Sequence, residues 1–154
     1  YFAYYLLSKL GEEIIQQGEE YIATKNNEDI QILAYNFAYF DELFMNWDTS
    51  ALTNENRYLV YEDKPLKEVK INVLGLSGPY KVTRYKLNRE HGSVFDEWIK
   101  IGAPENMTKE ELDYLKGVAR PKISVDYIDI DGDFSQVSSI PVHGVELVIL
   151  EKQI

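Results

Sequence analysis

The 154-residue sequence has no cysteine, two histidines (His91 and His143), two methionines and two tryptophans. The missing thiols exclude a disulfide, a thiolate nucleophile and a thiolate metal site. Two histidines leave little from which to build a zinc centre or a catalytic triad, and neither a metal nor an organic cofactor is expected. Basic residues are scarce: 16 Lys+Arg stand against 26 Asp+Glu, a net charge of −10. With a pI near 4.7, the chain is not expected to bind nucleic acid, because phosphate contacts need Lys and Arg clustered on one face. No apolar run approaches the ~18 residues of a membrane helix, so no membrane partner is expected either. Phosphate loops and dinucleotide fingerprints are also lacking. What is abundant is apolar and aromatic surface, 45% and 13% of residues, which excludes a disordered chain. The length fits one domain with a real core, since a chain of this size hides roughly two-thirds of its unfolded surface. The chain opens on Tyr1 and its first methionine is Met45, so it reads as a piece of a longer protein. The lack of cysteine permits a cytoplasmic location, which is the expectation.

Hydrophobic spacing predicts a helix over residues 1–17: Ala3, Leu7, Leu10 and Ile14 step by four, three and four, and Phe2 and Leu6 widen the stripe. Gly11 weakens that helix and Gly18 would stop it. The run Tyr1, Phe2, Tyr4, Tyr5, Leu6 is too apolar for a lone helix in water, and is assigned to packing against another domain. From residue 18 the period becomes two. Strands are expected at Tyr21–Lys25 and Ile30–Phe37, joined by the turn residues Asn26 to Asp29, with the second strand inside the sheet. Residues 38–55 are irregular, with Phe40, Leu43, Phe44 and Trp47 spaced for one helical turn. Further strands are expected at Arg57–Tyr61, Leu66–Leu76 and Tyr80–Leu87, the last two a hairpin broken at Ser77-Gly78-Pro79. Ser93 starts a short helix ending at Gly102. Thr108 and Glu111 spell a capping box for a helix that runs to about Gly117, before Pro121. Lys122–Ile130 and Phe134–Val137 flank Asp131-Gly132, a hairpin signal, and Val145–Leu150 is a buried last strand. Strands without alternating helices predict a mainly β protein. The expected architecture is an antiparallel β-sandwich at 18–154, with an N-terminal helix (1–17) from a preceding unit and a two-helix insertion.

None of the acidic or histidine constellations reads as a reaction centre. Asp129, Asp131 and Asp133 resemble the start of a calcium loop, yet the glycine (Gly132) falls one place early and the twelfth place is Ile140 instead of Glu. Asn27-Glu28 and Asn54-Glu55 resemble the Asn-Glu pair of retaining glycosidases. That chemistry needs a second carboxylate about 5 Å away in a pKa-raising cleft, whereas both pairs sit in polar turn sequence. His91 and His143 each precede a glycine, fit turn roles, and have no G-x-S-x-G partner. The twelve tyrosines could stack on sugars, but Tyr is also a favoured strand residue. The residues alone support a non-catalytic β-sandwich.

Two stretches carry a resemblance. Leu6-Leu7-Ser8-Lys9-Leu10-Gly11-Glu12-Glu13-Ile14-Ile15, followed by Tyr21 to Lys25 and Gln31 to Asn36, resembles the passage from the last barrel helix into the C-terminal sandwich of glycoside hydrolase family 39. Leu87 to Trp98 with Gly102-Ala103-Pro104-Glu105-Asn106, then Thr108–Leu115, is similar to a second non-catalytic segment of that family. The resemblance implies a preceding barrel in the same protein as partner, and a sugar as the ligand to consider. It also implies one of two parents: a large AraC/XylS-type transcription regulator carrying a glycosidase-like module, or a β-xylosidase acting on xylo-oligosaccharides. Tyr35-Asn36-Phe37-Ala38-Tyr39-Phe40 and His91-Gly92-Ser93 are closer to the regulators. The family's two glutamates lie on barrel strands outside this sequence, so no catalytic role carries over to any residue here and no enzymatic activity is expected of the chain.

Overall fold

The computed structural model describes residues 1–46 and 49–154. The elements are α1 (Phe2–Leu7), β1 (Glu13–Gly18), β2 (Tyr21–Asn26), β3 (Asp29–Tyr35), α2 (Glu42–Met45), a 3-10 turn (Arg57–Val60), β4 (Lys67–Leu87), α3 (Val94–Lys100), α4 (Lys109–Val118), β5 (Lys122–Ile140) and β6 (Val145–Lys152). All strand pairs are antiparallel, in the order β1-β2-β3-β6-β4-β5. As its apolar residues on both faces predict, β3 is an inner strand, between β2 and β6.

The sandwich arises because two strands are long enough to serve both layers. Tyr80–Leu87 of β4 pairs with β6, whereas Lys67–Val73 pairs with Phe134–Ile140 of β5. That far half of the β4–β5 ribbon folds over the sheet, so Ile71, Leu76 and Phe134 share a buried cluster with Ala23, Ile32, Val148 and Leu150. The two expected hairpins are therefore one bent ribbon. Its turn-forming residues face each other across the ladder: Leu76 opposite Gly132, Ser77 opposite Asp131, Gly78 opposite Ile130, Pro79 opposite Asp129. A register shift sits beside them between Val73 and Leu76. Gly132 has φ 108, a conformation that only glycine adopts without strain. The turn chemistry makes a corner between layers and leaves the pairing intact, as bulges and glycines do where sheets fold.

A second cluster lies on the opposite face of the main sheet, where Leu6 of α1 is fully buried against Leu33, Tyr85 and Leu147. The helix is shorter than expected. It ends at Leu7, and residues 13–17, placed in it by their apolar spacing, form the edge strand β1 together with Gly18. Two causes can be seen. The Gly11 amide donates to Thr24 Oγ1 at 2.7 Å, and a Cβ on Gly11 would lie 2.5 Å from the Lys25 carbonyl oxygen, so the chain crosses β2 where no side chain fits. Ile14 and Ile15 are β-branched and suit a strand. Residues 57–61 also differ from expectation: they make a 3-10 turn and a single bridge, Tyr61 to Phe40, instead of a strand. One helical turn does form at Glu42–Met45; Trp47 lies outside the described residues. The two-helix insertion follows its signals, with Ser93 capping α3 and the Thr108/Glu111 capping box opening α4.

Candidate functional site

Between β3 and β4 the chain leaves the sheet and returns, building an aromatic lobe at one end of the sandwich. Its root is Asn36, fully buried, whose Nδ2 donates to the carbonyls of Pro65 and Ile140, each at 3.0 Å. The amide of His143 donates to the Asn36 carbonyl at 2.7 Å, which brings the β5–β6 turn to the same place. Further out, Asp41 N–H donates to the Val60 carbonyl (2.8 Å) and Glu62 N–H to the Tyr39 carbonyl (2.9 Å), so the lobe's two limbs are held by backbone bonds.

Aromatic rings gather on this frame. Phe40 and Tyr61 stack at 5.1 Å and 13°, the His143 ring is 4.3 Å from Tyr61 and 5.9 Å from Tyr58, and Phe95 links Tyr58 (5.7 Å) to Trp98 (5.8 Å). Phe37 meets His143 edge-on. Beneath them Asp96 collects donors: Tyr58 Oη at 2.8 Å, Arg89 Nε at 2.9 Å, and the Ser93 hydroxyl. The Arg89 guanidinium also lies 3.7 Å over the Tyr58 ring. Burial works to raise the Asp96 pKa, but hydrogen bonds from Ser93, Tyr58 and Arg89 outweigh it and hold the carboxyl below its ordinary value. Burial pushes the Tyr58 phenol up. Burial, helped by the charge of Arg89, pushes His143 down. The result is a surface of rings held by hydrogen bonds and by contacts with one another. Alongside the rings runs a groove of about 810 Å³ lined by Phe40, Phe44, Leu52, Tyr58, Tyr61 and Phe95, with Arg57 among its walls.

A second polar centre ties the lobe to the sheet. Glu20, in the β1–β2 turn, accepts from Lys64 Nζ (2.5 Å), from Lys67 Nζ and from the Phe37 amide (3.0 Å). Lys64 and Lys67 hold its pKa at about 2.

The residues singled out from sequence fall in several places. Tyr1 and Tyr4 stand out from α1, Tyr5 packs edge-on to Tyr85, and Leu6 points into the sandwich's own core. Phe2 is half-buried between Tyr1 and Tyr5. Across the same face Ile123, Val125 and Tyr127 of β5 are exposed, so the tyrosines of α1 belong to a wider apolar face. Asp129, Asp131 and Asp133 alternate along the solvent side of β5, where Asp133 accepts from the Gly75 amide at 3.1 Å. Asn27 takes φ 53 in the β2–β3 turn, and Glu55 is an exposed loop residue. Sequence reasoning placed His143 in a turn, where it is, but missed its ring partners. It also missed Glu20, Tyr58 and Arg89, since contacts such as Tyr58 to Asp96 and Glu20 to Lys64, 38 and 44 residues apart, leave no local spacing signal.

These observations define an antiparallel β-sandwich bearing an aromatic lobe. The chain belongs to glycosyl hydrolases family 39, whose model matches residues 1–135. An uncharacterized HTH-type transcriptional regulator of Staphylococcus aureus strain COL is 27% identical over 152 residues, 99% of this chain and 19% of that protein. A counterpart in strain MRSA252 is 26% identical over the same span. A monomeric beta-xylosidase from Caulobacter crescentus CB15 has the same fold, with TM-score 0.73 and 19% identity over 99% of this chain and 30% of that one. The GH39 enzyme from Xanthomonas axonopodis pv. citri matches with TM-score 0.73 and 16% identity over 99% of this chain and 30% of its own. The chain thus spans about a fifth of the regulators it matches and under a third of the enzymes.

Proposed function

We propose that the chain is a non-catalytic accessory domain of a glycosidase-like module in a cytoplasmic AraC-type transcription regulator, where it braces a preceding barrel or takes part in sugar sensing. The observation that carries this reading is its 27% identity to an HTH-type regulator across 99% of its length; the likeness to xylosidases is one of fold. The electrostatics fit the non-catalytic part of this reading, whichever the parent. A glycosidase acid needs a raised carboxyl pKa, and the carboxyls that the structure displaces, Glu20, Glu55, Asp96 and Glu111, all move down. The apolar face of Tyr1, Tyr4, Ile123, Val125 and Tyr127 is the surface we assign to the barrel, because exposed apolar patches of this kind mark interfaces. The second reading is the accessory domain of a family 39 xylan 1,4-beta-xylosidase, favoured by the TM-score of 0.73 to the Caulobacter enzyme.

The deciding experiment is a peptide map of the intact parent protein, joined to an aryl-xyloside assay. A basic helix-turn-helix upstream, with a barrel lacking one or both glutamates and no nitrophenol release, supports the regulator. A barrel with both glutamates, no DNA-binding segment and steady nitrophenol release overturns it in favour of the xylosidase.

A further inference from the structure

We infer that the groove beside the aromatic lobe binds a small apolar molecule carrying one carboxylate, with Arg57 as the group that selects the charge. The groove, about 810 Å³, is lined by Phe40, Phe44, Met45, Leu52, Val60, Tyr58, Tyr61 and Phe95, and its polar side chains among the described residues, besides the phenols, are Thr49 and Arg57. Sites of this size with many apolar walls and few polar groups are typical of small-molecule pockets. The ring wall is held in place by the fold itself. The bridge between Phe40 and Tyr61, the bond from Tyr58 Oη to Asp96 and the edge-on contact of Tyr58 with Phe95 fix the rings.

Charge then narrows the class. The two arginines near the rings differ in kind. Arg89 is spent on Asp96 and on the face of Tyr58. The Arg57 guanidinium lies 5.8 Å over the Phe95 ring and makes no salt bridge among the described residues. An exposed guanidinium at the edge of an apolar groove can take a carboxylate with two parallel hydrogen bonds, while the ligand's body covers the rings. A neutral sugar fits poorly. Its many hydroxyls would give up water for a lining in which the Tyr58 phenol is already committed, and unmet polar groups are costly. This inference is independent of whether the parent is a regulator or an enzyme.

The test is isothermal titration calorimetry on the full-length chain, with 4-biphenylcarboxylate, its neutral counterpart 4-biphenylmethanol, and xylobiose. The acid is expected to bind at one site, at least tenfold tighter than the alcohol. Arg57→Gln should bring the acid down to the alcohol's affinity and leave the alcohol unchanged. Phe40→Ala, at a half-exposed ring, should weaken both severalfold; melting curves and an unchanged circular dichroism spectrum check that both variants are folded. Equal binding of acid and alcohol, an acid affinity untouched by Arg57→Gln, no heat from the acid at millimolar concentration, or tighter binding of xylobiose at the same site would each overturn the inference.

Discussion

Glu20 shows how one side chain can hold a loop to a sheet. It sits at φ 63 in a two-residue turn and gathers Lys64, Lys67 and the Phe37 amide, which join both ends of the aromatic lobe to β1–β2. Its folded pKa, about 2, is below its ordinary value of 4.5. A depressed carboxyl adds stability that is fully present above its unfolded pKa and is lost as pH falls through the folded one. Glu20→Gln is therefore expected to cost about 1–2 kcal/mol at pH 7, the site being only partly screened from water. The gap to the wild type should close between about pH 4.5 and pH 2, as urea melts at several pH values would show. Two glycines give a matched contrast. A Cβ would meet nothing within 4 Å at either Gly132 or Gly117, so packing plays no part. Gly132→Ala should destabilise by about 1–2 kcal/mol because of its φ of 108. Gly117→Ala, inside α4, should stabilise by up to about 1 kcal/mol. Thermal melts with opposite shifts are the expected result.

Among the elements, α1 is too short to stand alone, since helices under ~12 residues are marginal in water. It is helical because Leu6 is buried against Leu33, Tyr85 and Leu147. Leu6→Ala is expected to cost about 2–5 kcal/mol and to expose the Gly11–Thr24 bond, read as faster hydrogen exchange at the Gly11 amide while β4–β5 amides stay protected. The elements also show what was legible in sequence. Signals that act within four residues were reliable: the Thr108/Glu111 box and the Ser93 cap sit where they were expected, as do the alternation of β6 and the inner place of β3. Signals whose meaning depends on a distant partner were not. Ser77-Gly78-Pro79 and Asp131-Gly132 each look like a chain reversal, and only their pairing across the ladder makes them a corner. The spacing Leu7, Leu10, Ile14 fits a helix, yet Gly11 is needed where the backbone touches β2, a contact invisible from the local pattern. The aromatic lobe was the least legible part, because Tyr58 reaches Asp96 and His143 from distant parts of the chain.

At the scale of the whole molecule the two outer faces are unlike. The folded-over layer presents Glu68, Lys70, Asn72, Ser135 and Ser139 to solvent, a polar surface broken by Val137. The main sheet presents Tyr1, Tyr4, Ile123, Val125 and Tyr127. Under the proposed reading this second face is covered in the parent protein. Tyr4 and Tyr127 are then expected to be protected from hydroxyl-radical labelling in the intact protein and labelled in the isolated chain. The isolated chain should also self-associate in sedimentation runs, and paired Tyr4→Lys and Tyr127→Lys changes should abolish this. Equal labelling in both forms would remove the face as the interdomain surface.

The bent ribbon has one more consequence, and it concerns time. β4 and β5 form the most extensive ladder in the molecule, from Lys67 opposite Ile140 to Lys86 opposite Lys122, and residues 88–121, with α3 and α4, close it as a single long loop. Closing a loop costs entropy before any rung repays it, and pairings this far apart in sequence fold slowly. The capped helices α3 and α4, each too short to stand alone, pack on one another, and together they shorten the span that the loop must close. Helix caps within the insertion would then bear on the rate at which the whole sandwich assembles, and weakening them would slow folding more than it speeds unfolding.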